Sequence, residues 1–237
     1  MILKTINANS DGNCHLLIDD NGKVLILDAG VTIKDIKKAV GFNVTDIVGC
    51  VVTHRHKDHS KSVDDLMKMG KQVFTPYKSK SRREADATRC GDFKIRTFAL
   101  TDKECTHFVH TDQNGEECPC YGFYIEHDDM PGWNLVYITD CMYCKWMFNG
   151  VQNLLIGTNF SVSRLSCDNA TKTIHQVSGH MSVDTACDFI EKIKPSGNVI
   201  LTHLSIDSAD RDECMSVVTK VVDCPVYIAD KGMSINI

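Results

Sequence analysis

Residues 53–59 read Thr-His-Arg-His-Lys-Asp-His, three histidines and one aspartate within six positions, directly after the apolar run 47–52. Neutral imidazole and carboxylate are preferred ligands for zinc and its borderline neighbours. In the extended residues that leave a strand, His54 and His56 point the same way, because side chains alternate with period two. Asp58 and His59 are adjacent and can face a second ion beside the first. Four such groups exceed what one ion takes from a single loop, so the segment predicts a two-metal site. The fold must therefore hold this loop at a strand end and bring further ligands to it.

Other polar residues stand where strands should end. Asp140 follows the apolar run 136–139, and His203 follows 199–202. Strand ends are rigid and the loops beyond them carry chemistry. Taken alone, an aspartate after a strand more often caps a turn; together with the opening cluster, Asp140 and His203 supply the missing ligands. Asp28, in Leu25-Ile26-Leu27-Asp28-Ala29-Gly30, is a candidate to accept the second ring N–H of a metal-bound histidine.

The pattern around these residues is strand-heavy with interspersed helices. The runs 16–18 and 24–27 flank Asn21-Gly22, the strongest short hairpin signal. Helices are predicted over 32–40, closed by Gly41, and over 60–69, closed by Gly70, which puts Asp58 and His59 at the second helix's amino terminus. Strands are predicted at 47–52, 73–75, 93–100, 121–125, 135–139, 154–156, 199–201, 226–228 and 233–237. Ser182 should cap a helix whose Val183, Ala186, Cys187, Ile190 and Ile193 recur on one face, and 209–218 reads as another helix. With no linker, low-complexity tract or repeat, residues 1–237 read as one domain.

Composition removes several alternatives. A hydrophobic fraction of 43% is ordinary for a globular chain. No apolar run approaches the roughly 20 residues of a membrane span. The first residues lack the charged-then-apolar pattern of a secretory leader, so a cytoplasmic location is expected and the twelve cysteines read as reduced thiols. Cys118/Cys120 and Cys141/Cys144 are tight pairs that could hold a structural zinc, although the first is one residue short of the usual spacing; buried thiols are the favoured reading. The formal charge is −5, without the basic balance of a nucleic-acid clamp. Lys78, Lys80, Arg82, Arg83 and Arg89 are the nearest approach to a basic track.

These motifs together resemble the metallo-β-lactamase superfamily over most of the chain. Gly12-Asn13-Cys14 and LDAG at 27–30 resemble its opening, THRHKDH at 53–59 its HxHxDH signature, His110 its third motif, YITD at 137–140 its fourth and LTHLS at 201–205 its fifth. The resemblance implies an α/β fold of αββα type, with the site at the edge between two sheets. It implies that His54, His56 and His110 hold one divalent metal, Asp58, His59 and His203 the other, and that Asp140 bridges; His107 is a rival for the place of His110. Zinc suits the imidazoles and manganese also suits a bridging carboxylate.

Ser178-Gly179-His180-Met181-Ser182 is similar to the phosphodiesterase branch, which includes tRNA 3′-processing endonucleases, small exonucleases and phage anti-Pycsar enzymes that open cyclic nucleotides. That likeness implies attack by a metal-activated hydroxide on a nucleotide phosphodiester, with His180 protonating the leaving oxygen and Asp58 essential. A helix-capping or core histidine is the plainer reading of His180. Relatives carry an orienting glutamate where this chain has Gly157, and the long arm that grips tRNA is missing. A small cyclic nucleotide is the expected substrate, in the manner of phage immune evasion in a host cytoplasm. A single-domain exonuclease acting on single-stranded DNA or RNA is the alternative, and a catalytically silent metal-binding interaction module is the alternative of another class. The resemblance also implies a homodimer.

Overall fold

The computed structural model describes residues 1–79, 86–101, 111, 115–165 and 170–237; Lys80, Arg82, Arg83, His107 and His110 lie outside them. Alternation with period two sorts the strand residues into layers. In β3 (Val24–Leu27), Leu25 and Leu27 join the central core while Val24 and Ile26 face the other way. In β9 (Asn134–Ile138), Leu135 and Tyr137 face that same centre, and Val136 and Ile138 turn to the opposite outer face. Strands β10 (Asn153–Gly157) and β11 (Asn198–Thr202) repeat the division, with Leu155 and Ile200 inward. Two sheets are thus stacked on one core, and each needs a cover on its other face.

The first sheet has six strands in the order β13-β1-β2-β3-β4-β5. They are β1 (Ile2–Asn9), β2 (Gly12–Ile18), β3, β4 (Ile47–Val51), β5 (Val73–Phe74) and β13 (Ser234–Asn236). Helices α1 (Ile33–Ala39) and α3 (Val63–Lys68) cover its outer face through Ile36, Val63 and Leu66. The second sheet has seven strands, ordered β12-β11-β10-β9-β8-β7-β6. It adds β6 (Ala87–Cys90), β7 (Phe93–Ala99), β8 (Tyr121–His127) and β12 (Val226–Ile228). Helices α5 (Val183–Ile193) and α6 (Arg211–Val218) cover it through Val183, Ala186, Ile190, Cys214 and Val218. The layering is αββα, as the resemblance implied.

Local signals explain the boundaries. The Asn21-Gly22 turn joins β2 to β3 antiparallel, with Gly22 at φ 76°, a conformation glycine adopts without strain. Thr32 caps α1 and Ser182 caps α5, each accepting a backbone N–H three residues on. The helix expected over 60–69 is instead two pieces, α2 (Lys57–Ser60) and α3. The reason is Ser62: its N–H bonds Ala29 O at 2.9 Å and its hydroxyl donates to Val31 O at 2.6 Å. These bonds tie the chain to the loop after β3 and interrupt the helix. Three elements carried no usable pattern. β1 changes register between Thr5 and Asn7, β6 is a mostly polar edge strand, and α4 (Ala170–Gly179) exposes Ile174 and Val177.

Candidate metal centre

Parallel strands β3, β4, β9, β10 and β11 deliver their carboxyl ends to one edge of the sandwich. Asp28 follows β3, His54 lies just beyond β4, Asp140 follows β9 and His203 follows β11. Asp28, Asp140 and His203 have φ of 58°, 45° and 57°. Such left-handed backbone costs a non-glycine residue of order 1–3 kcal/mol and collects at functional sites. Here it swings a side chain sideways off a strand end. Gly30 lets the His54–His59 loop approach: a Cβ there would fall 1.6 Å from the Asp58 carbonyl oxygen.

Three overlapping groups bring ligand atoms within 4.8 Å of one another: His54 with His59 and Asp140, Asp58 with His59 and His203, and Asp140 with His180 and His203. Asp140 Oδ2 is 3.4 Å from His54 Nε2 and 3.6 Å from His59 Nε2, while its Oδ1 is 3.3 Å from His203 Nε2. Asp58 Oδ2 is 3.3 Å from His59 Nε2 and 3.6 Å from His203 Nε2. One carboxylate thus spans both halves of the cluster, the position expected of a bridging ligand. His56 caps α2 at its amino end, with its ring 4.6 Å from that of His54, and lies outside the three close groups. His110 is not among the described residues, so the predicted three-histidine set is seen in two members.

A deeper shell holds these groups. Asp28 is fully buried and accepts from Thr53 N at 2.8 Å, Thr53 Oγ1 at 3.0 Å and Tyr137 Oη at 2.6 Å. His59 Nδ1 lies 2.8 Å from its Oδ2. A proton on that nitrogen turns the Nε2 lone pair toward the cluster, the usual way a carboxylate sets a metal-binding imidazole. Asn159 lies 2.9 Å from His203 Nδ1 and donates to the His203 carbonyl, and Gln176 of α4 donates to Asn159 Oδ1. Asn159 therefore serves His203 and not His180, whose Nδ1 faces Asp140 Oδ1 at 3.8 Å. His180 sits in the link between α4 and α5, its ring stacked on His203 at 5.2 Å. A Cβ at Gly157 would sit in ordinary van der Waals contact with Thr139, 3.4 Å from its Cα.

Electrostatics favour charge on the donors. Against the burial that opposes ionisation, neighbouring histidines hold the Asp58 and Asp140 carboxyls well below the usual range. Against the same burial, Asp140 and Asp58 hold His59 and His203 above the ordinary imidazole value. A divalent ion would displace those protons, since ligand imidazoles must be neutral. The donor set fits such an ion. His203 Nε2 is buried and makes no hydrogen bond, and the 3.3–3.6 Å spacings match the edges of a ligand tetrahedron with metal bonds of about 2.0–2.2 Å.

The cluster floors a cleft of about 260 Å³, also lined by Ser10, Ser205, Gln176 and His180. Ser10, Asn13, Thr53, Tyr137 and Gln176 carried no catalytic signal of their own in the sequence. Cys120 packs under His54, its sulfur 3.8 Å from Nδ1. Burial pushes the Cys120 and Cys141 thiols up, and among the described residues the close ligand groups contain no cysteine. Cys118, Cys120 and Cys141 are buried, and Cys144 is half-buried. No helix of the described residues is long and apolar enough to cross a membrane.

Comparison with known proteins agrees with this architecture. The chain superposes on YhfI of Bacillus subtilis, a metallo-β-lactamase fold protein, over 99% of its own length and 98% of the other's, with TM-score 0.68 at 15% identity. It superposes on human tRNase Z, short form, over 100% and 99%, with TM-score 0.59 at 13% identity. A 94-residue stretch is 30% identical to the hydroxyacylglutathione hydrolase of Buchnera aphidicola, covering 39% of this chain and 37% of that enzyme. Residues 24–204 match the model of the β-lactamase superfamily domain. The chain therefore belongs to the β-lactamase superfamily.

Proposed function

We propose that this protein is a two-metal phosphodiesterase acting on small nucleotides, with cyclic mononucleotides as the favoured substrate. The observation that carries the reading is His180, which lines the cleft beside the Asp58–His59–Asp140–His203 cluster. His54, His56 and Asp140 would hold one ion and Asp58, His59 and His203 the other, with Asp140 shared and His110 completing the first set. Two divalent ions, when bound, supply a water of lowered pKa and positive charge for phosphate oxygens. His180 would give its proton to the departing oxygen. A thiol has pKa near 8.5 and departs as thiolate unaided, whereas an alkoxide needs that proton, so an imidazole on the cleft wall favours an oxygen ester over a thioester. Asn159 and Gln176 would hold His203, and Asp28 would hold His59, so that neither imidazole reorients during turnover.

Two features support a small substrate. The cleft, at about 260 Å³, is at the small end of ligand pockets. Arg89, of the sequence's basic set, lies at the far end of β6 and is paired with Asp128, so it cannot extend a phosphate track along the cleft. The test is chromatographic product analysis of metal-loaded protein, with Asp58→Ala as control. The substrates are cyclic mononucleotides, cyclic dinucleotides, a 5′-phosphorylated single strand and a hydroxyacyl-glutathione thioester. Linear monophosphates from the cyclic mononucleotides, with the strand intact, support the proposal. Stepwise loss of mononucleotides from the strand, or thioester cleavage alone, overturns it.

A further inference from the structure

At the end of the sandwich opposite the cleft, Asp19, Asp92 and His127 bring three ligand atoms within 4.8 Å of one another. Strand directions place them there. β2 starts beside the cleft, where Asn13 touches His59, and finishes just before Asp19. β8 starts at Tyr121, whose N–H bonds Thr53 O, and finishes at His127. Asp92 occupies the turn between β6 and β7.

Asp19 and His127 are each only 5% exposed. Asp19 Oδ1 accepts the backbone N–H of Asn21 at 2.9 Å and of Lys23 at 2.7 Å, which pins the carboxylate. Its Oδ2 makes no hydrogen bond, and neither does His127 Nε2, although the two atoms are 3.3 Å apart. A buried polar atom left in this state is unfavourable, unless a third body satisfies both. Their separation is close to the ligand–ligand edge around a tetrahedral ion with bonds of about 2.0–2.1 Å. The Phe93 ring stands edge-on to the imidazole at 4.8 Å and limits its rotation. Nearby cations are engaged elsewhere: Lys23 pairs with Asp46, and Arg89 and Lys94 with Asp128. Asp92 is exposed and would close the site from the solvent side.

We propose that Asp19, Asp92 and His127 bind a divalent cation of the zinc or manganese class, which clips the β2–β3 turn of one sheet to the β6–β7 turn and the end of β8 in the other. One imidazole and two carboxylates suit either metal. The site is separate from the cleft and does not depend on what the cleft hydrolyses. The rival arrangement is a hydrogen bond alone, in which the His127 ring donates from Nε2 to Asp19 while Nδ1 accepts the Asp129 N–H, 3.3 Å away.

The test is calorimetric titration of the metal-free full chain with Zn²⁺ alone, comparing the parent with Asp92→Asn and His127→Gln. The expected result is one equivalent fewer in each variant, with a smaller rise in thermal midpoint on zinc addition. Equal stoichiometry and equal midpoint shifts in all three proteins would leave only the hydrogen bond and overturn the proposal. Asp92 is an exposed turn residue, so Asp92→Asn decides the matter even if His127→Gln fails to fold; circular dichroism identifies that case.

Discussion

His15 should make this protein acid-sensitive in a way one substitution can isolate. Its imidazole is fully buried between the sheets, Nδ1 3.0 Å from Thr5 Oγ1 of β1 and Nε2 3.1 Å from Thr202 Oγ1 of β11. Burial, reinforced by His59 and His203, pushes its pKa from 6.5 down to about 3. The unfolded chain takes up a proton near pH 6.5 and the native chain not until about 3, so stability is full above that window and falls as the pH drops through it. At pH 5 the unfolded state gains RT ln(1 + 10^1.5), about 2 kcal/mol. The figure barely changes if the native value lies a unit higher, because at pH 5 the native imidazole is still mostly neutral. The assay is urea unfolding of metal-free protein followed by tryptophan fluorescence, at pH 8 and pH 5. His15→Gln retains a donor and an acceptor for the two threonines but does not titrate. The pH 8 to pH 5 loss should therefore be about 2 kcal/mol smaller in His15→Gln than in the parent. The remaining titrating groups, His59 and His203 among them, are common to both proteins. An equal loss in both would refute a neutral, buried His15.

Three further substitutions probe the centre. Tyr137→Phe removes the 2.6 Å donor to the buried Asp28 carboxylate. A hydrogen bond to a charged group is worth about 1.5–3 kcal/mol, so thermal melting should show a drop of roughly 3–12 °C for a chain of this size; an unchanged midpoint would show that Asp28 does not need it. Gly30→Ala places a methyl against the Asp58 carbonyl and should displace the histidine loop, read as lost metal content by elemental analysis; full metal content would contradict the close approach. His180→Ala should spare metal content while cutting turnover of a phosphodiester by roughly 10²–10⁴-fold, the usual worth of a general acid. The loss should nearly vanish with a nitrophenyl leaving group, and a uniform loss would remove the proton-donor role.

Much of this architecture was legible because it follows from local pattern. Period-two runs marked the central strands, the Asn21-Gly22 turn joined β2 to β3, and Ser182 capped α5 as expected. The candidate ligands His54, Asp140 and His203 could be named because each stands just beyond an apolar run, and Asp58 and His59 because they share the 53–59 loop with His54. What stayed hidden lacked such a pattern. β1 is interrupted by a register shift, and α4 exposes part of its apolar content. The helix over 60–69 reads as continuous until Ser62 is seen bonded to Ala29 and Val31.

The amino-acid sequence by itself determined the succession of strands and helices and the crowding of ligand-type side chains at 53–59, because hydrophobic period and ligand type are properties of neighbouring residues. Tertiary structure alone decided who serves whom. Asp28 turns to His59, Tyr137 reaches Asp28 from a strand 109 positions away, and Asn159 holds His203 rather than His180. Only in the folded chain do Asp19 and His127 meet across two sheets. Such pairings depend on register, strand direction and left-handed turns at Asp28, Asp140 and His203. A one-residue shift in any of them would point the same side chain at the opposite face.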